Sequence, residues 1–173
     1  SVALDSAGNI YVADTGNHKI RRITPDGTVT TIAGSWRGYA DGPAAEAKFD
    51  NPWSLALDSA GNIYVTDTGN HKIRRITPEG AVTTVAGSAP IAASQGYVDG
   101  TAEEAKFNRP SGIAVDSAGN IYVVDTGNQR VRKISPTAPP KPAMKEVTRG
   151  RFGRSYRDAR TSWIRFPPRM APP

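Results

Sequence analysis

Histidine and aspartate are the residues of this chain that could bind a metal ion or act as general acid and base. Its two histidines, His18 and His71, follow an Asp-Thr-Gly-Asn string that also precedes Gln129. A metal site needs several ligands that converge on one point, and the third equivalent position carries no imidazole. We therefore interpret both histidines as residues at the start of a strand, and we predict no metal site and no cofactor.

Two sets of aspartates recur with constant spacing. One set begins the string Asp-Ser-Ala-Gly-Asn at Asp5, Asp58 and Asp116, and the other precedes Thr-Gly-Asn. Asp and Asn in such strings accept backbone N–H groups in tight turns. We predict this structural role for Asp14, Asn17, Asp67, Asn70, Asp125 and Asn128. No nucleophile–base pair or carboxylate dyad stands apart from the recurring strings, so the sequence predicts no catalytic residue.

Each copy also carries a basic pair: Arg21-Arg22, Arg74-Arg75 and Arg132-Lys133. Adjacent residues of a strand point to opposite faces, so a pair does not form one patch. Residues 1–136 hold 13 Lys and Arg against 14 Asp and Glu, which makes this region nearly neutral. We predict that the pairs lie on a solvated outer face and that the repeats do not bind nucleic acid.

All of these residues belong to a unit that occurs three times. It starts at residues 5, 58 and 116, and residues 5–35 match residues 58–88 at 27 of 31 positions. Short runs rich in β-branched residues alternate with Gly, Asn and Pro turns, which predicts four antiparallel strands. In the second copy these strands are 53–58, 63–67, 71–77 and 81–86. A meander of this length suits one blade of a β-propeller.

The repeated blocks closely resemble a known family. VALDSAGNIYVADTGNHKIRRI, LALDSAGNIYVTDTGNHKIRRI and AVDSAGNIYVVDTGNQRVRKI resemble the NHL repeat, and the stretches between them resemble the loops of bacterial and teneurin-like NHL proteins. The resemblance implies a propeller of six blades. It also favours an extracytoplasmic or secreted location.

The sequence therefore predicts an all-β partial propeller over residues 1–136, with blades at about 1–35, 53–88 and 111–136, the last with three strands. Two or three blades alone expose apolar faces. We expect further blades of the same propeller to cover them. A homodimer that closes a six-blade ring and an isolated wedge are the alternatives. No apolar run approaches the ~18 residues of a membrane span.

Residues 137–173 have a different composition. They hold nine Lys and Arg against two Asp and Glu, and they interleave Pro and aromatic residues. Three interpretations stay open for this tail: a disordered segment, an out-of-frame terminus, or a segment that binds RNA or an acidic surface.

Two long connections, 34–52 and 87–111, follow the fourth strand and so lie at the same end as the Asp-Thr-Gly-Asn turns. Phe49 and Phe107 are predicted to pack each connection onto a blade. Loops on a rigid scaffold concentrate binding residues, and the candidate ligand contacts are Trp36, Arg37, Tyr39, Asp41, Tyr97 and Asp99. The predicted function is a non-catalytic scaffold that binds a protein, another macromolecule or a glycan. The alternatives are a lyase-like or lactonase-like propeller enzyme, whose metal site lies in other blades, and RNA binding through the tail.

Overall fold

The computed structural model describes residues 1–87 and 95–136, together with the backbone of residues 163–165. The strands of these residues form three separate sheets. Two of the sheets follow the predicted four-stranded repeat, and the third follows its first three strands, which confirms the all-β propeller segment. Among the described residues, no helix is long and apolar enough to cross a membrane.

The first sheet is an antiparallel meander in which neighbours along the chain are neighbours in the sheet. Its strands are β1 (Val2–Leu4), β2 (Ile10–Asp14), β3 (Lys19–Ile23) and β4 (Val29–Ala33). Asp5 forms the predicted turn after β1, because its Oδ1 accepts hydrogen bonds from the backbone N–H groups of Ala7 and Asn9, both at 2.9 Å. Asp58 and Asp116 make the same bonds in their copies.

The second sheet repeats this meander and gains one strand. It consists of β6 (Pro52–Leu57), β7 (Ile63–Asp67), β8 (Lys72–Ile76) and β9 (Ala81–Ala86), and the short β5 (Gly42–Pro43) pairs with β9. β5 belongs to the connection that leaves the first sheet, so each connection reaches over the outer edge of the next blade. β8 begins one residue later than predicted, because His71 has a left-handed backbone (φ 57°) that cannot continue a strand.

The third sheet contains β10 (Gly100–Thr101), β11 (Pro110–Val115), β12 (Ile121–Asp125), β13 (Arg130–Ser135) and β14 (Trp163–Arg165). β14 comes from the tail and occupies the place of a fourth strand, between β13 and β10. It runs parallel to β13, whereas β4 and β9 run antiparallel to their neighbours. The predictions of disorder, frameshift and RNA binding for the rest of the tail concern residues outside the described ones.

The core lies between the sheets, as expected for stacked blades. Ile20 of the first blade packs in one apolar cluster with Leu55 and Val65 of the second. A second cluster joins the second and third blades in the same way. Phe49 and Phe107 are fully buried, one in each cluster, which confirms that they fasten the long connections to the blades.

The outward faces of the first and third sheets are uncovered. Val2 is 61% exposed, whereas the equivalent Leu55 is 4% exposed. At the other end, Val131 is 67% exposed and the equivalent Ile73 is 0% exposed. The same positions are therefore buried wherever another blade lies against them, as the repeat pattern predicts.

Candidate functional site

The described parts of the two long connections, residues 34–52 and 95–109, lie at one end of the sheets, together with the Thr-Gly-Asn turns, as predicted. The N–H of Gly69 donates to the carbonyl of Asp50 at 2.8 Å, and the side chain of Asn70 donates to the carbonyl of Gly38 at 2.8 Å. We call this end the long-loop face; it comprises residues 34–52 and 95–109 and the three Thr-Gly-Asn turns.

A fully buried arginine holds the first connection to the second blade. Arg74 donates through Nη1 to Asp67, at 2.7 Å, and through Nε and Nη2 to Oδ1 of Asp41, at 3.0 and 2.7 Å. It also donates to the carbonyl oxygens of Ala40 and Lys48, at 2.6 and 3.0 Å. One cation is thus bonded to two carboxylates and two carbonyl groups, which compensate for the hydration that the guanidinium loses on burial.

Aromatic rings cover the same guanidinium. Its Cζ lies 4.9 Å from the ring centroids of both Tyr39 and Phe49, within the range of a cation–π contact. The hydroxyl of Tyr39 lies 3.0 Å from Oγ1 of Thr84. We refer to the loop residues Tyr39, Asp41 and Phe49 as the clasp, and to Asp67 and Arg74 as its receptor.

The third blade repeats this arrangement. Arg132 donates to Asp99 at 2.6 Å and to Asp125 at 3.2 Å, and it is buried. The rings of Tyr97 and Phe107 lie 5.2 and 4.5 Å from its guanidinium carbon. The clasp is therefore a recurring feature of the fold.

The prediction that the basic pairs lie on a solvated outer face is wrong for Arg74 and Arg132. Sequence alternation places these side chains toward one face but does not show that a loop from the preceding blade covers them. Asp67 and Asp125 accept a backbone N–H, as predicted, but the donors are Asp50 and Asn108 of the loop, at 2.7 and 2.8 Å.

Burial raises the pKa of Asp67 to about 6, against the opposing attraction of Arg74. Asp67 is therefore ionised at neutral pH. Its oxygens accept from Arg74, Asn70 and the backbone of Asp50. A carboxylate that is buried and paired in this way joins the loop to the blade and is not placed to take a proton from a ligand.

Both histidines join successive blades. Nδ1 of His18 accepts from the N–H of Asn51 at 3.1 Å, and Nδ1 of His71 accepts from the N–H of Arg109 at 3.0 Å. Burial and the charge of Arg109 lower the pKa of His71 below its ordinary value. Both histidines stand in a left-handed conformation directly before the third strand and not in the strand itself, and the bond to the next blade was not visible in the sequence. No group of three or more His, Cys, Asp or Glu within the described ranges could hold a metal ion.

The predicted ligand contacts divide into two groups. Tyr39, Asp41 and Asp99 bond within the clasps. The others lie at the surface. Trp36 is 79% exposed, and Nε of Arg37 donates to Oδ1 of Asp50 at 3.0 Å. The side chain of Tyr97 is partly exposed, and its hydroxyl donates to Asp99. Residue type and position in the loop do not distinguish these three from the rest.

One exposed aromatic residue was missed altogether. Trp53 lies near the start of β6, at the edge of the long-loop face, and it is 55% exposed. The equivalent position of the third blade is Ser111. A comparison of the copies could have found it, because Trp53 interrupts an otherwise regular repeat.

A cleft of about 510 Å³ opens between the first and second sheets, near the Asp-Ser-Ala-Gly-Asn turns at the opposite end. Tyr11, Arg22, Ile63 and Pro78 are among its lining residues, and Arg22 is the one charged group in the lining. A single cation beside apolar residues provides no general acid–base pair.

The fold and these contacts define a β-propeller segment with stacked four-stranded blades. Residues 1–23, 49–76 and 107–134 match the family model of the NHL repeat. The chain therefore belongs to the NHL-repeat propeller proteins.

Among curated proteins, human NHL repeat-containing protein 2 is 30% identical over 71% of this chain and 18% of its own length. Mouse Teneurin-3 is 30% identical over 76% of this chain and 6% of its own length. The chain thus spans less than a fifth of either relative.

Solved structures show the same fold. An auxiliary nutrient binding protein from Bacteroides thetaiotaomicron is 28% identical with a TM-score of 0.68, over 76% of this chain and 36% of that one. A putative phosphatase from the same organism is 26% identical with a TM-score of 0.67, over 78% of this chain and 34% of that one. The chain spans about a third of each structure.

Proposed function

We propose that this chain is a non-catalytic binding module that holds a protein or glycan partner on its long-loop face. The observation that carries the proposal is the position of the exposed aromatic residues. Among the described residues, the large apolar side chains that stay exposed away from the two end faces are Trp36, Tyr97 and Val98 at the long-loop face, Trp53 at its edge, and Val29 on an outer strand.

The clasps favour binding at this face. Arg74 and Arg132 have no exposed side-chain surface and pair with Asp41 and Asp99 of the loops, so the described part of the loop backbone does not have to become ordered when a partner arrives. Preorganised loops lose less conformational entropy on binding. Trp and Tyr on such a support are the side chains that most often dominate interface energetics.

The comparisons support the same class of function. The nutrient binding protein from Bacteroides thetaiotaomicron is a binding protein by its name, and it shares the fold over most of this chain. NHL propellers commonly serve as interaction modules, and the chain has three NHL repeats. These likenesses favour a binding role without identifying the ligand.

Photo-crosslinking tests the proposal. A photoreactive phenylalanine analogue is placed at Trp36, and a matched control places it at the exposed Val29 of β4, away from the long-loop face. We expect a defined crosslinked partner at position 36 and none at position 29. Equal capture at both positions would contradict the assignment of the face.

A glycan array, probed with the wild-type chain and with Trp36→Ala and Trp53→Ala, tests the second kind of partner. If a tryptophan is a main contact, its loss weakens binding by about thirtyfold, which corresponds to ~2 kcal/mol. Retention of full affinity by both variants, for a glycan or for a crosslinked protein, would refute the proposed surface.

A propeller phosphatase is the second candidate function, because a structure of that name matches most of the chain. The test is metal analysis of the purified chain, together with hydrolysis of p-nitrophenyl phosphate. A stoichiometric divalent ion and turnover that chelation abolishes would favour the enzyme. Absence of both would favour the binding module.

A further inference from the structure

Two strands of identical sequence have different surroundings. β3 and β8 both read Lys-Ile-Arg-Arg-Ile, and Arg21 is the equivalent of Arg74. Arg74 has no exposed side-chain surface and pairs with two aspartates. The side chain of Arg21 is 32% exposed, and the ion pair that it makes among the described residues, to Asp14, is 3.4 Å long. Asp14 and Arg21 thus form the equivalent of the receptor in the first blade, and no clasp loop lies on them in the part of the chain that the structure describes.

The backbone of this receptor already has the occupied geometry. Asp14 has φ −83° and ψ 74°, against −88° and 76° for Asp67 and −87° and 75° for Asp125. Asn17 donates to the carboxylate of Asp14 as Asn70 does to that of Asp67. A loop would therefore find the receptor preformed.

The space that a clasp loop fills is open at the first blade. A Cβ atom added to Gly69 would lie 2.9 Å from the backbone carbonyl oxygen of Asp50, and one added to Gly127 would collide with Asn108. A Cβ atom added to the equivalent Gly16 has no atom within 4 Å. The first blade therefore has room where the other two hold their loops.

Apolar surface lies beside this space. Val2 and Leu4 are exposed, whereas Leu55, the equivalent of Val2, packs in one cluster with Phe49 of the clasp loop. A phenylalanine of a loop that docks on the first blade would cover the apolar surface of Val2 and Leu4 in the same way. The polar receptor and the apolar surface together form a composite docking site.

We propose that the uncovered face of the first blade is a docking site for a loop of the clasp type, supplied by another NHL repeat. Both clasp loops contain Gly-Tyr-x-Asp with a phenylalanine ten residues after the tyrosine, at Tyr39 and Phe49 and at Tyr97 and Phe107. The docked loop places its aspartate and two carbonyl groups on Arg21, its tyrosine ring over that guanidinium, and its phenylalanine against the apolar surface. The two clasps already described provide the geometry, so the site does not depend on the partner of the long-loop face.

A graft tests the docking site directly. Residues 35–53 are copied in front of Ser1, which places the added loop in register because Ser1 is the equivalent of Ser54. We expect the graft to raise the Tm by at least about 4 °C. We also expect Gly16→Ala, harmless in the natural chain, to lower the Tm of the graft, because the loop then lies against residue 16.

The control graft carries alanine at the copies of Tyr39 and Asp41. We expect it to raise the Tm by less than half as much as the intact graft, and Arg21→Gln to remove most of the gain from the intact graft. An equal gain in the control, or Gly16→Ala without effect in the intact graft, would overturn the proposal.

A peptide provides a second measurement that needs no change in the chain. A synthetic peptide of residues 35–53 is added to the wild-type protein, and the amide resonances of Asp14 to Asn17 are followed by NMR. The proposal requires saturable shifts with this peptide and none with the Asp41→Ala peptide. Identical shifts with both peptides, or none with either peptide and no gain from the graft, would refute it.

Discussion

The guanidinium of Arg74 lies 2.7 Å from the carboxylate of Asp67, and neither side chain has any exposed surface. In the first blade, Arg21 and Asp14 lie 3.4 Å apart and are partly exposed. The two pairs stand in nearly identical strands, so the difference comes from the clasp loop that covers only the second pair. Arg21 and Gly16 of the first blade are therefore matched controls for Arg74 and Gly69 of the second.

Loss of the buried cation is the first prediction. Arg74→Gln leaves Asp67 and Asp41 without their shared partner, and Asp67 remains buried. We expect the free energy of unfolding to fall by about 3–5 kcal/mol, which is typical when one member of a buried ion pair is removed. Chemical denaturation followed by circular dichroism measures the change.

Arg21→Gln is the control, since it removes the same residue type from the same strand position. Its pair is partly exposed, so we expect a change below about 1 kcal/mol. Similar losses for the two variants would show that the clasp does not determine the contribution of the arginine.

The Thr-Gly-Asn turns provide the second prediction. Gly69→Ala places a methyl group 2.9 Å from the carbonyl oxygen of Asp50, and the closely packed loop must move. We expect a loss of about 1–3 kcal/mol, as for other overpacked sites. Thermal unfolding of the variant measures it.

Gly16→Ala makes the same change where nothing lies within 4 Å of the added Cβ. We expect a neutral or slightly stabilising effect, since alanine restricts the unfolded chain. If Gly16→Ala lowered stability as much as Gly69→Ala, the backbone conformation of the turn, rather than contact with the loop, would explain why glycine is required there.

The third prediction concerns the residue that fastens the first connection. Phe49 is fully buried in the cluster between the first and second blades. We expect Phe49→Ala to cost about 3–5 kcal/mol, through lost burial and the cavity that remains. Trp36→Ala in the same connection should change stability by no more than about 0.5 kcal/mol, because Trp36 is largely exposed. Comparable losses would contradict the assignment of Phe49 as the fastening residue.

The fourth prediction is a pH dependence that depends on His71. Its pKa in the folded chain is lowered from 6.5, first by burial and then by Arg109. The unfolded chain therefore binds a proton at this site more readily, and the contribution of His71 to stability is complete above pH 6.5 and decreases as the pH falls below it. Protonation would also remove the acceptor for the N–H of Arg109.

Asp67 acts in the opposite direction. Burial raises its pKa from 3.8 to about 6, so its contribution to stability increases as the pH falls through that interval. The effect of His71 must therefore be read as the difference between the wild-type chain and His71→Gln, which introduces the residue found at Gln129. Between pH 7.5 and 5 the wild-type chain should lose more stability than the variant in urea titrations. Parallel curves would contradict the role of His71.

The turns and the strand order followed from local sequence. Asp5 and Asn9 form their turn through contacts within four residues, and the third strand begins after a left-handed residue in each copy. The tight spacing of Gly, Asn and Pro between β-branched runs predicted an antiparallel meander. The burial of Phe49 also followed from its apolar nature and its place in a loop.

The sequence alone determined the repeat and the four-stranded unit, because these depend on contacts between residues close in the chain. The count of strands then placed the long connections at the same end as the Thr-Gly-Asn turns. Only the tertiary structure decided which copies of the same arginine are buried. Arg21 and Arg74 have the same neighbours in the chain, but the ion pair of Arg74 with Asp41 joins residues 33 positions apart. Tertiary structure also decided that β14 occupies the fourth-strand place of the third blade. Strand periodicity indicates which face a side chain occupies, whereas its solvation depends on the distant segment that packs against that face.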